Sequence, residues 1–157
     1  MATQMAVERE RRLKIRGDEL IFTAYGEETG GAYLLLELHV SPGGGPPTHL
    51  HHDDAESFVV LDGNFRIQQG EVIRDVGPGA FVYGQCGVPH GFTNIGDKIG
   101  RLLVIDTPPR IEGYFRALAA HCAAGTLTHA VQQDLYRQYN MEWVGPNVGT
   151  LQRPANA

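Results

Sequence analysis

Turn residues divide the middle of the chain into segments that are too short for most helices. From Ser57 to Ile105, turn signals recur about every 8–12 residues, and each separates one short apolar run from the next. The clearest is Asp62-Gly63-Asn64, because an Asp-Gly pair favours the positive backbone angles of a tight hairpin. Runs of this length and spacing predict an all-β fold, either a sandwich or a barrel.

The stretch before this region contains a run that fits two structures. Residues 32–40 are rich in leucine, so that propensity alone would permit a helix. Glycines precede the run and the segment Pro42–Pro47 follows it, and this punctuation favours a strand instead. The full set of expected strands is 13–15, 19–25, 32–40, 57–61, 65–69, 72–76, 80–83, 92–94 and 101–106.

The pattern changes to a helical one after residue 108. Apolar residues from Ile111 to Cys122 recur at helical spacing, and Gly125 is a suitable stop. Thr128 can cap a second helix that reaches about Tyr139, and residues 141–157 are expected to be loop. The chain is therefore divided into an N-terminal segment whose strands pack on the barrel or swap to a partner (1–31), a core (32–108), helices (109–140) and a tail (141–157).

Charge and composition exclude several classes of partner. The formal net charge is −5, which lacks the basic footprint of a nucleic-acid-binding domain. No apolar run reaches the length of a membrane span, and the N-terminus has no apolar signal core. The two cysteines, Cys86 and Cys122, suit free thiols in a reducing compartment. We therefore expect a cytoplasmic protein that binds neither nucleic acid nor membrane.

Histidines cluster between the expected strands. In a strand, His49 and His51 would project to one face, and Glu56 follows at the start of the next apolar run. Together with His90, these groups could form a mixed nitrogen and oxygen metal site. The competing interpretation is a solvated histidine-rich loop. The other four histidines are expected to have ordinary surface or edge positions: His39, His52, His121 and His129.

The spacing of these residues carries a resemblance. Gly43 is followed by five residues, His49-Leu50-His51, four residues, Glu56, six residues and Gly63. Gly79 is later followed by seven residues, Gly87, two residues, His90, three residues and Asn94. Over residues 32–106 the chain thus resembles the cupin superfamily. Its tail resembles that of small, quercetin dioxygenase-like cupins, and it departs from the second motif at Gln85, where proline is usual.

The resemblance implies a mainly all-β structure, a double-stranded β-helix jelly-roll barrel with one or two C-terminal helices. It also implies one divalent transition metal held by His49, His51, Glu56 and His90. Three neutral imidazoles and one carboxylate leave such an ion with a net positive charge and open positions, as reaction sites require. The donors suit iron, manganese, nickel, cobalt, copper or zinc.

Strand parity predicts which side chains surround the metal. Phe58 and Val60 share the face of Glu56, and Phe92 and Asn94 share the face of His90. Further candidates for the substrate pocket are Phe65, Tyr83 and Arg101. Plain core packing is the alternative for each of the apolar residues.

Three functions are compatible with this site. The first is a dioxygenase that binds a small enol, phenol or diketone together with O2, with Glu56 as catalytic base. The second is a non-oxidative metal-dependent isomerase, cyclase or lyase. The third is a cupin that binds a small molecule without turnover. Resemblance further implies a homodimer.

Overall fold

Two antiparallel sheets form the body of the protein in the computed structural model, which describes residues 10–150. Within these residues the strands are β1 (Arg12–Ile15), β2 (Asp18–Ala24), β3 (Leu34–Val40), β4 (Thr48–His51), β5 (Ala55–Asp62), β6 (Phe65–Gln69), β7 (Val72–Val76), β8 (Phe81–Gly84), β9 (His90–Asn94), β10 (Gly100–Thr107) and β11 (Met141–Gly145). The first sheet has the order β1-β2-β3-β10-β5-β8 and the second the order β11-β4-β9-β6-β7. The first nine residues of the predicted N-terminal segment and the last seven of the predicted tail lie outside the described residues.

Alternating burial explains why the leucine-rich run is a strand. In β3, the alternate residues Leu34, Leu36, Leu38 and Val40 are buried, and the three residues between them are partly exposed. A period of two presents one apolar face to the core, whereas a helix would scatter the same leucines around its surface. Strand β10 lies between β3 and β5, and its Leu102 and Val104 continue the same buried layer.

The expected strands are present, with ends that differ by one or two residues, but the prediction of a loop after residue 140 was wrong. Residues Met141–Gly145 form β11, which pairs with β4 at the edge of the second sheet. This run is short and lies beside Gly145-Pro146, so its sequence resembles a loop. Its strand conformation depends on hydrogen-bonding groups that β4 supplies from 90 residues away along the chain.

Two helices follow β10. Helix α1 spans Glu112–Ala124 and ends where Gly125 adopts a left-handed conformation with φ of 67°. Helix α2 spans His129–Gln138, and the Thr128 hydroxyl accepts a hydrogen bond from the backbone N–H of Val131 at 3.2 Å. Helix α1 packs near β1 and helix α2 near β11, so that the pair covers one end of the two-sheet body. Neither helix combines the length and the apolarity that crossing a membrane would require.

Candidate metal centre

Three histidines of the second sheet converge on one point. His49 of β4 and His90 of β9 are direct partners across neighbouring strands, and their ring centroids are 4.7 Å apart. His51 lies two residues after His49 and therefore projects to the same face. All three side chains are buried, with 5% or less of each residue exposed. Strand pairing thus fixes the relative positions of the three imidazoles before any ligand binds.

The first sheet contributes the carboxylate. Glu56 of β5 faces the histidines, and its Oε2 lies 3.2 Å from Nε2 of His90, 3.3 Å from Nε2 of His51 and 3.7 Å from Nε2 of His49. One ligand atom from each of the four residues lies within 4.8 Å of the others. The two sheets therefore meet at this cluster, as the spacing of the two sequence motifs implies.

A glycine allows the strand beside Glu56 to come close. Gly84 of β8 is the partner of Glu56 in the sheet. A Cβ atom at Gly84 would lie 2.1 Å from the Glu56 carbonyl oxygen and 3.4 Å from the His90 ring. Any larger residue would push β8 away from the cluster or displace Glu56.

Hydrogen bonds orient the imidazoles with Nε2 towards the centre. Nδ1 of His49 lies 2.8 Å from the carbonyl oxygen of Pro47, and Nδ1 of His90 lies 3.0 Å from that of Val88. Because a carbonyl oxygen can only accept, each Nδ1 carries the proton and donates. Nε2 of each ring is therefore the nitrogen that faces the centre, as in metal-binding histidines whose other nitrogen donates to a second partner.

The third imidazole shows most directly that a cation fits. Nδ1 of His51 lies 2.6 Å from the Asp54 carboxylate. Its Nε2 is fully buried and makes no hydrogen bond, although it faces Glu56. A buried polar atom without a partner is costly unless something satisfies it. Three imidazole Nε2 atoms and a carboxylate oxygen converge here, so a divalent cation fits the donor set.

The pKa values of His49, His51 and Glu56 are shifted by burial and by one another. Burial lowers the pKa of His49 to about 4. Burial also acts to lower the pKa of His51, but the adjacent carboxylates of Asp54 and Glu56 outweigh it and raise that pKa to about 10. Burial raises the pKa of Glu56, and the three adjacent imidazoles reverse this and hold it well below the ordinary value. Glu56 is therefore ionised and available as a ligand.

Two buried aspartates, Asp54 and Asp106, lie on the Nδ1 side of His51, away from Glu56. Asp54 binds the ring of His51, and Asp106 of β10 lies beside Asp54. One carboxylate oxygen of each aspartate lacks a conventional partner. Burial, and then the neighbouring Asp54, raise the pKa of Asp106 to about 9, so its proton bridges the two carboxyl groups. The other oxygen of Asp106 accepts the backbone N–H groups of Arg110 and Ile111 just before helix α1.

A cavity of about 370 Å³ opens above the cluster. His49, His51 and Glu56 form its buried floor. Exposed residues of the β1–β2 turn, together with the loop at 42–46, mark its mouth. Most of the wall is apolar, and it includes Phe92, Ile111, Tyr114, Phe115, Leu118 and Tyr136. This volume suits a small organic molecule.

The residues predicted to line the pocket are distributed differently. Phe92 lines this cavity. Phe58, Val60 and Phe65 are buried in the core between the sheets, where they pack on neighbouring apolar side chains. Asn94 is buried, but its amide donates to the Val40 and Lys98 carbonyl groups and so holds a turn.

The two remaining candidates lie on the surface. The Tyr83 residue is 47% exposed. Arg101 donates to Glu37 at 2.6 Å across the outer face of the first sheet. Strand parity predicts on which face of a sheet a side chain lies. It does not predict which part of that face borders the cavity.

The cavity wall includes polar residues that sequence reasoning did not place there. Arg16 comes from the β1–β2 turn, Tyr114 from α1, and Gln132 and Tyr136 from α2. The only signal for the tyrosines was their place on apolar helix stripes, which ordinarily means core packing. The docking of the two helices over the cluster brings these side chains to it.

The remaining histidines have ordinary partners. His39 lies 2.7 Å from Glu37, and exposed His52 lies 3.4 Å from Glu142. His121 lies 2.8 Å from the Thr126 hydroxyl, and the ring of His129 packs against Trp143. Both cysteines are free thiols.

Comparison with known proteins gives the class. Residues 36–106 match the family model described as Cupin domain. The chain is similar in structure to an RmlC-like cupin from Shewanella frigidimarina, with a TM-score of 0.58 and 17% identity over 73% of this chain and 96% of that one. It is also similar to a predicted oxalate decarboxylase from Thermotoga maritima, with a TM-score of 0.56 and 19% identity over 62% and 90% of the chains.

A third similarity is to the polyketide cyclase RemF from Streptomyces resistomycificus. The TM-score is 0.52 and the identity 25%, over 62% of this chain and 70% of that one. No curated protein sequence matches the chain. The two-sheet body therefore has the jelly-roll fold of these cupins. Residues 36–106, which match the Cupin domain model, contain a buried cluster that can hold a divalent metal.

Proposed function

We propose that this protein is a mononuclear metal enzyme, a dioxygenase that acts on a small enol, phenol or diketone. The observation that carries the proposal is the convergence of three Nε2 atoms and one carboxylate at the floor of an apolar cavity. Four protein donors on one side leave the cavity side open to a substrate oxygen and to O2. A structural metal site would be closed on all sides.

The residues have separable roles in this proposal. His49, His51 and His90 would hold the metal, which when bound would act as a Lewis acid towards the substrate oxygen. Glu56 can accept the substrate proton at its carboxylate, since that group faces both the histidines and the cavity. The apolar walls exclude water from the reacting atoms and orient a flat substrate.

A second candidate is a non-oxidative reaction on the same kind of substrate. The ring of Tyr136 lies 5.4 Å from that of His49 and 5.4 Å from that of Tyr114. Burial raises the pKa of both tyrosines, so they stay protonated and can donate to a developing oxyanion. The 25% identity to a polyketide cyclase supports this alternative.

Both proposed reactions require a bound divalent metal, and the metal content of the protein tests this requirement. The purified protein should bind about one equivalent of a divalent transition metal per chain. Removing an imidazole donor with His49→Ala should lower metal affinity by at least about a hundredfold, because even the loss of an outer partner costs tenfold to hundredfold. Elemental analysis and competition with a chelator measure both quantities.

The control is His52→Ala, which removes an exposed histidine three residues from His49. It should leave metal affinity unchanged. Less than a tenth of an equivalent in the unaltered protein, even after reconstitution, would overturn the metal site.

Oxygen uptake separates the two reactions. A panel of flavonols, catechols and 1,3-diketones should be supplied to the metal-loaded protein in an oxygen electrode. Uptake equal to substrate loss supports the dioxygenase. Substrate loss that is the same without oxygen supports the non-oxidative enzyme, and binding without substrate loss indicates a binding protein.

A further inference from the structure

One wall of the cavity carries a continuous run of polar side chains, here called the polar wall: Tyr136, Tyr114, Gln132 and Arg16. It begins at the floor, where the Tyr136 ring packs against His49. The Tyr114 ring lies 5.4 Å from the Tyr136 ring, and Gln132 lines the cavity together with both tyrosines. Nη2 of Arg16 donates to Oε1 of Gln132 at 2.6 Å and so ends the run at the mouth. A ligand lying along this wall would meet the metal cluster at one end and a guanidinium at the other.

The backbone of Arg16 indicates that its side chain is needed there. Arg16 occupies the two-residue turn between β1 and β2 and has a φ of 57°. A long side chain is strained in this left-handed region, whereas a glycine would adopt it freely. Strain of this kind concentrates at positions where a particular side chain has a function.

The guanidinium of Arg16 has unused binding capacity. It has five N–H donors, and within residues 10–150 its side chain makes one hydrogen bond and no ion pair. Its charge nevertheless reaches into the cavity. Burial raises the pKa of Tyr114 and Tyr136, and the Arg16 charge opposes that rise.

A neighbouring acid limits the charge of the ligand. Asp18 also lines the cavity, and one of its carboxylate oxygens accepts the Ser41 N–H at 2.8 Å. A doubly charged group at Arg16 would be repelled by this carboxylate more strongly than a singly charged one. The mouth therefore favours a carboxylate over a phosphate.

We propose that Arg16 binds a substrate carboxylate. The substrate is then a small flat molecule with an enol or phenol oxygen at the metal end and a single carboxylate at the mouth. The metal end of this assignment rests on the proposed function. A guanidinium can hold a carboxylate through two parallel hydrogen bonds, which are worth about a tenfold to hundredfold gain in affinity.

The test compares acids with their neutral amides. Zinc-loaded protein is titrated calorimetrically with 4-hydroxybenzoate, 4-hydroxyphenylacetate and 3-(4-hydroxyphenyl)propionate, and with the amide of each. At least one acid should bind about tenfold more tightly than its amide. In Arg16→Gln this preference should disappear while the Kd of the amide stays the same.

Lys14→Gln is the matched control, because it removes one positive charge from the exposed side of β1, two residues away. It should keep the preference. Equal affinity for every acid and its amide in the unaltered protein, or a preference that survives Arg16→Gln, would overturn the assignment.

Arg16→Gly provides a second test that does not depend on the fold of the first variant. Relief of the backbone strain should raise the melting temperature of this variant, and the acid preference should still be lost. A retained preference would again overturn the assignment.

A second comparison, with and without zinc, tests the metal site separately from Arg16. Removing zinc should weaken the acid and the amide together, if the phenol end binds the metal, and leave their ratio unchanged. No effect of zinc on either ligand counts against the proposed function, whereas the ratio alone reports on Arg16.

Discussion

At the scale of single residues, the least ordinary group outside the metal cluster is Asp106. It continues the inward-facing row of Leu102 and Val104 on β10 and is fully buried. An apolar residue would fit this row better by burial alone. Asp106 instead joins two structures, because one oxygen faces Asp54 behind His51 and the other accepts backbone N–H groups ahead of α1. A residue that links a metal ligand to the start of a helix can hold both in place.

The pKa of Asp106 predicts how stability depends on pH. The folded-state pKa is about 9, and the ordinary value is 3.8. Between these values the folded chain keeps a proton that the unfolded chain has released, so the free energy of unfolding falls as pH rises. The slope from one proton is at most about 1.4 kcal/mol per pH unit. Asp106→Asn cannot titrate, so its stability should depend less on pH from 5 to 8.

Urea unfolding of the chelator-treated protein at several pH values measures this slope. The asparagine can still accept the backbone N–H groups and donate to Asp54, so the variant should fold. Asp97→Asn, at an exposed position, is the control and should keep the original slope. Equal slopes in Asp106→Asn and the unaltered protein would contradict the shared proton.

At the scale of elements, the helices turn a generic two-sheet body into a specific cavity. Both sheets supply the floor, but Tyr114 comes from α1, and Gln132 and Tyr136 come from α2. Helix α2 is ten residues long, which is too short to be stable by itself in water. Its position therefore depends on its packing and on its N-terminal cap at Thr128.

Removing that cap should loosen one wall of the cavity. Thr128→Ala eliminates the hydroxyl that accepts the Val131 N–H, at a cost of about 1 kcal/mol. For a chain of this size, the melting temperature should fall by about 2–4 °C, as differential scanning calorimetry would show. Thr128→Ser retains the hydroxyl and should change little. Equal losses in both variants would mean that the methyl group, not the cap, stabilises α2.

At the scale of the whole molecule, the metal cluster is a junction between the two sheets. Glu56 belongs to one sheet and the three histidines to the other. The distance between donors therefore depends on how closely the sheets and their edge strands pack. Gly84 is critical to this packing, because β8 approaches the Glu56 carbonyl at a distance that excludes a side chain.

Adding one methyl group at Gly84 should affect both stability and metal binding. Gly84→Ala forces β8 or Glu56 to move, which we expect to cost about 1–3 kcal/mol of stability. Displacement of Glu56 should also lower metal affinity by about tenfold. Gly77→Ala is the control, since its added methyl would meet only the Asn64 side chain at 3.4 Å. Chemical unfolding and chelator competition measure the two effects, and unchanged metal affinity in Gly84→Ala would show that Glu56 tolerates the shift.

The sequence by itself determined the features that depend on local order. Turn residues and short apolar runs indicated most of the strands, helical spacing indicated α1 and α2, and the motif spacing placed His49, His51, Glu56 and His90 in one site. Each of these signals lies within a short stretch, or within two stretches of fixed spacing, so it can be interpreted without knowing the packing.

Only the tertiary structure decided the contacts between distant segments. Strand β11 forms because β4 offers it an edge, and Gly84 matters because β8 lies beside Glu56. Arg16 reaches Gln132 across 116 residues because α2 docks over the β1–β2 turn. Such contacts depend on how elements pack rather than on their own residues. The cluster of candidate metal ligands could therefore be predicted from the sequence, whereas the walls of the cavity above it could not.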